Sequence, residues 1–285
     1  MRKMEIARTV EELRLHADAW RELGHVLALV PTMGALHAGH LALIKEAKKH
    51  TDVVMASIFV NPTQFGAGED FERYPRDEAG DVDKLRAAGA DLVFIPSPEE
   101  MYPQGFATTV RVGGPARAGL EDAHRPGHFD GVATVVSKLF NQSGCHVAVF
   151  GEKDWQQLQV IRQMTRDLDL PVKIIGAPTV READGLALSS RNAYLSEEER
   201  EKAPLIYQTL RATADAIRAG AALAAACEEG AERLRDAGFE VDYLQARAAE
   251  TLKPLPDDAL AQGMDIRLLA AARLGATRLI DNIAV

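Results

Sequence analysis

HVLALVPTMGALHAGHLALIKEAKK, residues 25–49, sets the architecture of this chain. Residues 26–30 form an apolar run of strand length, residues 31–36 a Pro–Thr–Met–Gly–Ala–Leu turn, and residues 39–49 carry a helical period. Strand, tight turn and helix then recur outward from this unit. Residues 52–60 read as a second, β-branched strand, 77–88 as a polar amphipathic helix closed by Gly89, and 91–95 as a third strand stopped by Pro96 and Pro98. Residues 147–150, 155–168 and 172–175 repeat the strand–helix–strand order, which predicts a parallel sheet covered by helices on both faces, a Rossmann-like α/β domain. Beyond Arg191 the texture changes. Ser196 with Glu199 is a capping box that predicts the start of a long helix, and an Ala-rich helical stretch punctuated by Leu223 and Leu234 runs to Asp236. Strands are expected again at 240–245, 265–270 and 277–281. The division is placed near Pro178, giving a sheet domain over 1–178 and a smaller α+β domain over 179–285, with no internal repeat.

A chain of 285 residues, 47% hydrophobic and 26% charged, has enough apolar surface for one large or two unequal cores. A net charge of −9 disfavours long-range attraction to polyanions, so nucleic acid is not an expected partner, although a local basic pocket can still hold a nucleotide. The start, MRKMEIARTVEELRLHADAW, is basic but reaches Glu5 before any apolar run and continues as an amphipathic helix pattern, unlike a signal peptide. HVLALV and VVMASIFV are each far short of the roughly 18 apolar residues of a membrane span, so a cytoplasmic, membrane-free protein is expected. Cys145 and Cys227 have no paired Cys–His spacing and read as reduced thiols.

Four segments could carry chemistry. In PTMGALHAGH, residues 31–40, a helix start offers free N–H groups and a positive dipole end to phosphate, and His37 and His40 are one turn apart. An isolated His-x-x-His is more often a pair of surface or cap residues; Gly34 and Gly39, which permit close backbone approach, favour the anion site here. The zinc-protease pattern is absent because no Glu follows His37, and neither a GxGxxG nor a P-loop is present. FGEKDWQQL, residues 150–158, repeats the strand-to-helix geometry, with Lys153 as a point charge for phosphate and Gln157 one turn on; Asp154 and Gln157 also fit a simple capping pattern. NPTQF, residues 61–65, supplies Asn61 and Gln64 as neutral hydrogen bonders or is merely a turn. DGLALSSRNAYLS, residues 184–196, is either a polar interdomain loop or a mobile triphosphate clamp with Arg191 as its cation. Arg125 and His128 sit on a Pro–Gly turn; His124 and His128 lack a third ligand and a helix to present them as a metal pair.

In this order the segments closely resemble the pantothenate synthetase (pantoate–β-alanine ligase) family, from about residue 26 to 196 and more loosely beyond. PTMGALHAGH is similar to that family's form of the HIGH motif of class I nucleotidyltransferases, and ALSSRN to its counterpart of the KMSKS loop. The resemblance implies ATP contacts by Met33, Gly34, Ala35, Leu36, His37, Ala38, Gly39 and His40, by Gly151, Glu152, Lys153 and Asp154, by Val180, and by Leu188, Ser189, Ser190 and Arg191. It implies that Gln64 and Gln157 hold pantoate with Asn61 and Arg125 nearby, that Glu121 and Arg125 form a charged pair at the cavity, and that His40, His37, Lys153 and Arg191 act in catalysis. The implied reaction forms pantoyl-adenylate and pyrophosphate from pantoate and Mg-ATP, then pantothenate and AMP on attack by β-alanine, in a homodimer with Mg2+, for which no ligating residue is singled out. Asp130, Asp122 and Cys145–His146 depart from the family's usual Arg, Gly and Pro–Asp; none is an expected ligand, though Asp130 bears on the local positive field. Competing readings are another class I nucleotidyltransferase, against which Gln64 and Gln157 argue, a tRNA synthetase, which lacks its basic face here, and a silent ATP-binding module.

Overall fold

The computed structural model describes residues 4–66 and 68–285; the basic start, residues 1–3, lies outside the described residues. Six parallel strands form the main sheet: β1 (Glu5–Ala7), β2 (Leu27–Thr32), β3 (Val53–Ile58), β4 (Leu92–Phe94), β5 (Val147–Gly151) and β6 (Lys173–Ala177). Their order is β1-β4-β3-β2-β5-β6, all neighbours parallel. Alternation along the strands divides the core in two. Leu27, Leu29, Met55, Phe94 and Phe150 pack with the helices Val10–Glu22, His128–Ser143 and Trp155–Asp167 through Leu13, Val136 and Ile161. Ala28, Val30, Val54, Ala56 and Val149 face the opposite layer, where Leu43 and Ile44 of helix Ala38–Ala47 and Leu85 of helix Glu78–Ala88 cover them. Each such leucine or phenylalanine contributes about 1.5–3 kcal/mol of burial.

The second sheet is antiparallel, β7 (Glu240–Ala248), β8 (Ile266–Leu274) and β9 (Thr277–Ala284). Leu268, Ala270 and Ala272 turn toward helices Leu205–Arg218 and Leu223–Asp236, meeting Leu210, Ile217 and Leu234. Tyr243, Leu269 and Ala271 on the other face meet Leu120 and Trp155, so this sheet is docked on the segments that flank the main one.

The α/β class with a smaller α+β unit is therefore as expected, with local corrections. β2 continues through Pro31 and Thr32, which read as turn; along β2 the pairing with β5 covers only Ala28 and Leu29, so the missing N–H of Pro31 disrupts nothing on that side. The capping box at Ser196 and Glu199 forms, but the helix it opens spans only Glu197–Lys202, and Leu205–Arg218 starts anew after Pro204. Residues 125–128 turn as read, with Gly127 at φ 82°, yet His128 immediately opens a 16-residue helix that the sequence reading left out. Both cysteines are free and buried. Among the described residues no helix is long and apolar enough to cross a membrane.

Candidate active site

The order of the main sheet reverses between β2 and β5, and their carboxyl ends open a crevice of the kind where parallel α/β sheets collect ligands. A cavity of about 230 Å³ lies there, lined by His37, Gly39, His40, Gln64, Lys153, Gln157, Val180 and residues 188–191. A more polar cavity of about 480 Å³ adjoins it through Lys153, Asp154, Ser189 and Arg191.

The turn after β2 is shaped from outside. Gly34 (φ 82°) and Ala35 (φ 50°) are left-handed, and the buried Asp81 carboxylate accepts from Ala35 N at 2.7 Å and Leu36 N at 2.8 Å. His37 is the N-cap of helix Ala38–Ala47: its Nδ1 accepts from Gly39 N at 3.1 Å, while His40 Nδ1 accepts from His37 N at 3.3 Å. A backbone N–H only donates, so both neutral rings carry their proton on Nε2. Burial, reinforced by the Lys153 charge, pushes His37 down to about 4, and burial with His37 alongside pushes His40 down to about 3. Both imidazoles are thus uncharged Nε2–H donors at neutral pH. The cap reading and the anion-site reading of this His pair describe two nitrogens of the same rings.

Gln64 stands on a short 3₁₀ turn, Pro62–Gln64, beside helix His128–Ser143. Its Oε1 accepts from Asn61 Nδ2 at 3.0 Å and its Nε2 points at Met33 Sδ, 3.1 Å away. Asn61 has no free polar atom: Nδ2 also donates to the Gly131 carbonyl, and Oδ1 accepts from Thr63 and from the Tyr102 hydroxyl at 2.8 Å. It lines the cavity beside Gln64, which it supports through the Nδ2–Oε1 bond. The buried His128 ring bonds the Gln64 carbonyl at 2.9 Å and contacts Arg125 at 3.1 Å, so it braces the site and is not half of a metal pair. Among the described residues no group of three His, Cys, Asp or Glu is arranged to hold a metal ion.

Lys153 and Asp154 lie on the 3₁₀ turn Glu152–Asp154 after β5, where the Asp154 side chain caps nothing. Arg191 faces them from the Ser-Ser-Arg loop, which is tied to the His turn by Ser190 Oγ donating to Ala35 O at 3.2 Å. Arg191 is gripped by Asp70 through Nε at 2.9 Å and an η nitrogen at 2.8 Å, and Arg125 likewise by Glu69 at 2.9 and 2.7 Å. Glu121 does not pair with Arg125 as expected; it accepts from Arg278 at 2.7 and 2.8 Å and from Tyr243 at 2.7 Å, and the Arg278 guanidinium overcomes the effect of burial to hold its carboxyl near about 2. Asp130 is neutralised by Arg117 at 2.8 Å and Arg111 at 3.2 Å.

Of the residues expected around the nucleotide, Met33, His37, Gly39, His40, Gly151, Lys153, Asp154, Val180, Leu188, Ser189, Ser190 and Arg191 share one cavity wall. Gly34, Ala35, Leu36, Ala38 and Glu152 do not line it: the Ala35 and Leu36 N–H groups are taken by Asp81, and the Leu36 side chain is in the core. Gln64, Gln157 and Arg125 do line it, together with an apolar wall of Val132, Val135, Val136 and Leu139 that the sequence reading missed. Their spacing of three, one and three is a helical stripe, and that period was the available signal.

A protein-family model described as Pantoate-beta-alanine ligase matches residues 5–284. Pantothenate synthetase of Rhodopseudomonas palustris strain HaA2 is 54% identical over 280 residues, covering 98% of both chains. The crystal structure of pantothenate synthetase from Thermus thermophilus superposes with a TM-score of 0.90 at 50% identity, covering 98% of this chain and 99% of that one. The pantoate-beta-alanine ligase of Francisella tularensis, crystallised with beta-gamma ATP and beta-alanine, gives a TM-score of 0.83 at 35% identity over 99% of this chain and 98% of that one.

Proposed function

Because the chain belongs to the pantoate–beta-alanine ligase family, we propose that the crevice between β2 and β5 is where it joins pantoate to β-alanine with ATP, through a pantoyl-adenylate. The convergence of two neutral Nε2–H donors, Lys153 and Arg191 on one cavity with Gln64 and Gln157 supports this reading best. A carboxylate oxygen of pantoate bonds to the α-phosphorus, the bond from that phosphorus to the bridging oxygen breaks, and pyrophosphate leaves. The β-alanine amine then attacks the acyl carbon, AMP departs with the bridging oxygen, and the amine proton is released.

In this assignment Gln64 and Gln157 hold pantoate's polar groups while the stripe Val132, Val135, Val136, Leu139 accepts its methyl-bearing carbon. His37 and His40 donate hydrogen bonds to phosphate oxygens as charge develops, and Lys153 and Arg191 offset it; a well-placed donor of this kind is worth about 3 kcal/mol. His40, held neutral, acts as a hydrogen-bond donor and not as an imidazolium acid. With no carboxylate cage among the described residues, Mg2+ fits as an ion that arrives on the triphosphate and supplies charge neutralisation there. The same proposal takes 1–178 as the nucleotide- and pantoate-binding domain, 179–285 as the unit that closes over the site, a homodimer as the assembly and the cytoplasm as the compartment.

The deciding experiment measures pyrophosphate and AMP release from Mg-ATP with pantoate alone and with pantoate plus β-alanine, with His40→Ala and Lys153→Ala as controls. Pantoate-dependent pyrophosphate release and β-alanine-dependent AMP turnover, both lowered by the substitutions, are expected. Turnover indifferent to pantoate or to both substitutions would reject this site assignment.

A further inference from the structure

We propose that Asn282, on the last strand of the small sheet, is a positioning residue that sets Lys153 for contact with phosphate. Its Nδ2 donates to the carbonyl of Glu152 at 3.0 Å and of Lys153 at 2.8 Å, and its Oδ1 accepts from Arg267 Nε at 2.6 Å. The Arg267 bond fixes which way the amide points, since a guanidinium only donates. Arg267 itself lies 3.7 Å over the Trp155 ring and reaches Glu152 Oε2 at 3.4 Å, so β8 and β9 together hold the Glu152–Asp154 turn. The turn needs this support, because neither its Gly151 N-cap nor Asp154 makes a side-chain capping bond. Asn282 is 3% exposed and far from solvent competition, which makes the two bonds to carbonyls stiff constraints. Next to it, Asp281 grips Arg181 at 2.6 and 2.8 Å, beside the cavity residue Val180. One dipeptide of the small sheet therefore anchors both the Glu152–Asp154 turn and the Val180–Arg181 segment, and any shift of that sheet is transmitted to Lys153.

The inference rests on Lys153 being a phosphate ligand, and the test separates the two. Asn282→Asp keeps the shape and the Arg267 contact but replaces the amide donor with a carboxylate oxygen facing two carbonyl oxygens. It is compared with the native chain in Lys153 and Lys153→Ala backgrounds, reading kcat/KM for ATP in pantoate-dependent pyrophosphate release and the thermal midpoint. The expected loss is about 10²-fold with Lys153 present, the scale of a misplacement near 1 Å, and under about threefold once Lys153 is gone. Losses that multiply in the double variant overturn the inference while leaving the lysine's role intact. A harmless Lys153→Ala overturns both. Should Asn282→Asp not fold, Asn282→Ala enters the same cycle under the same criteria.

Discussion

Asp81 and Ala35, 46 positions apart, meet through a 2.7 Å hydrogen bond in which a buried carboxylate holds a left-handed non-glycine residue in place. The same carboxylate takes Leu36 N at 2.8 Å, so the turn leading into His37 owes its shape to a side chain from helix Glu78–Ala88. Asp81→Ala leaves these two N–H groups unsatisfied at about 1–3 kcal/mol each. The expected outcome is a clear drop in the urea midpoint and a loss of ATP affinity of about tenfold or more, because His37 and His40 follow the turn. Ala35→Gly, which relieves the left-handed strain, is expected to restore part of the affinity in the Asp81→Ala background. Calorimetric titration with ATP checks both, and unchanged affinity in Asp81→Ala would show that the turn keeps its shape unaided.

Three histidines whose charged form is disfavoured by desolvation give the fold an acid limb. In an unfolded chain His37, His40 and His128 take up protons near their ordinary pKa of about 6.5; in the fold burial pushes them to about 4, about 3 and about 4. Between those values the unfolded chain holds more protons, so the stabilising contribution is complete above pH 6.5 and is lost as the pH falls. Glu121, lowered to about 2, adds to this loss only below its ordinary carboxyl range. Each such histidine contributes a slope of up to about 1.4 kcal/mol per pH unit. Urea denaturation at pH 7.5 and 5.0 should show the decline, and His40→Gln should make it shallower; an identical decline in that variant would place the titration elsewhere.

The parts of the site that were readable in the sequence are those whose function is local. Residues 31–40 carry their strand end, glycine turn and helix start within ten positions, and Ser189–Ser190–Arg191 and Lys153 sit on equally compact punctuation. Their partners come from far along the chain and look ordinary where they stand. Asp81 reads as a surface acid in a polar helix, one turn before Lys84, and nothing nearby marks it for Ala35. Asn282 is one polar residue in a strand. Helix His128–Ser143 was obscured by its own composition, since Val132, Thr134, Val135 and Val136 favour strand, and only packing on the sheet and on the Gln64 turn decides for helix. The break at Pro204 follows a different rule: proline is well placed at a helix start and poorly inside one, so a continuous helical period across it describes two helices.

Asp70 holds Arg191 through Nε and one η nitrogen, so a phosphate that used this face of the guanidinium would compete with the aspartate for it, while the other η nitrogen stays free to donate. The pair is partly solvent-exposed, Arg191 at 31%, so its strength is that of a screened ion pair and not of a buried one. Asp70→Asn weakens the grip while keeping the shape. ATP should then bind more tightly, by about fivefold for a pair worth about 1 kcal/mol, and with an increased dependence on salt, since Arg191's charge is no longer offset. Weaker ATP binding in Asp70→Asn would mean that the aspartate orients Arg191 for the nucleotide instead of competing with it.

Gly131 is where the backbone of helix His128–Ser143 packs closely on the Gln64 turn. A Cβ built there would lie 2.4 Å from Thr63 O and 2.7 Å from Gln64 Cα, both backbone atoms that cannot swing aside, and the Gly131 carbonyl is itself an acceptor for Asn61 Nδ2. Gly131→Ala must therefore move the helix or the turn. Overpacking of this kind costs about 1–3 kcal/mol, and the turn, a single short 3₁₀ segment, is the softer of the two. Displacement of Gln64 should raise KM for pantoate about tenfold or more, with KM for ATP much less affected because His37, Lys153 and Arg191 stand on other segments. Steady-state kinetics with each substrate varied in turn distinguishes the outcomes: a parallel rise in both constants would mean that the helix, with its apolar stripe at Val132 and Val135, had moved instead.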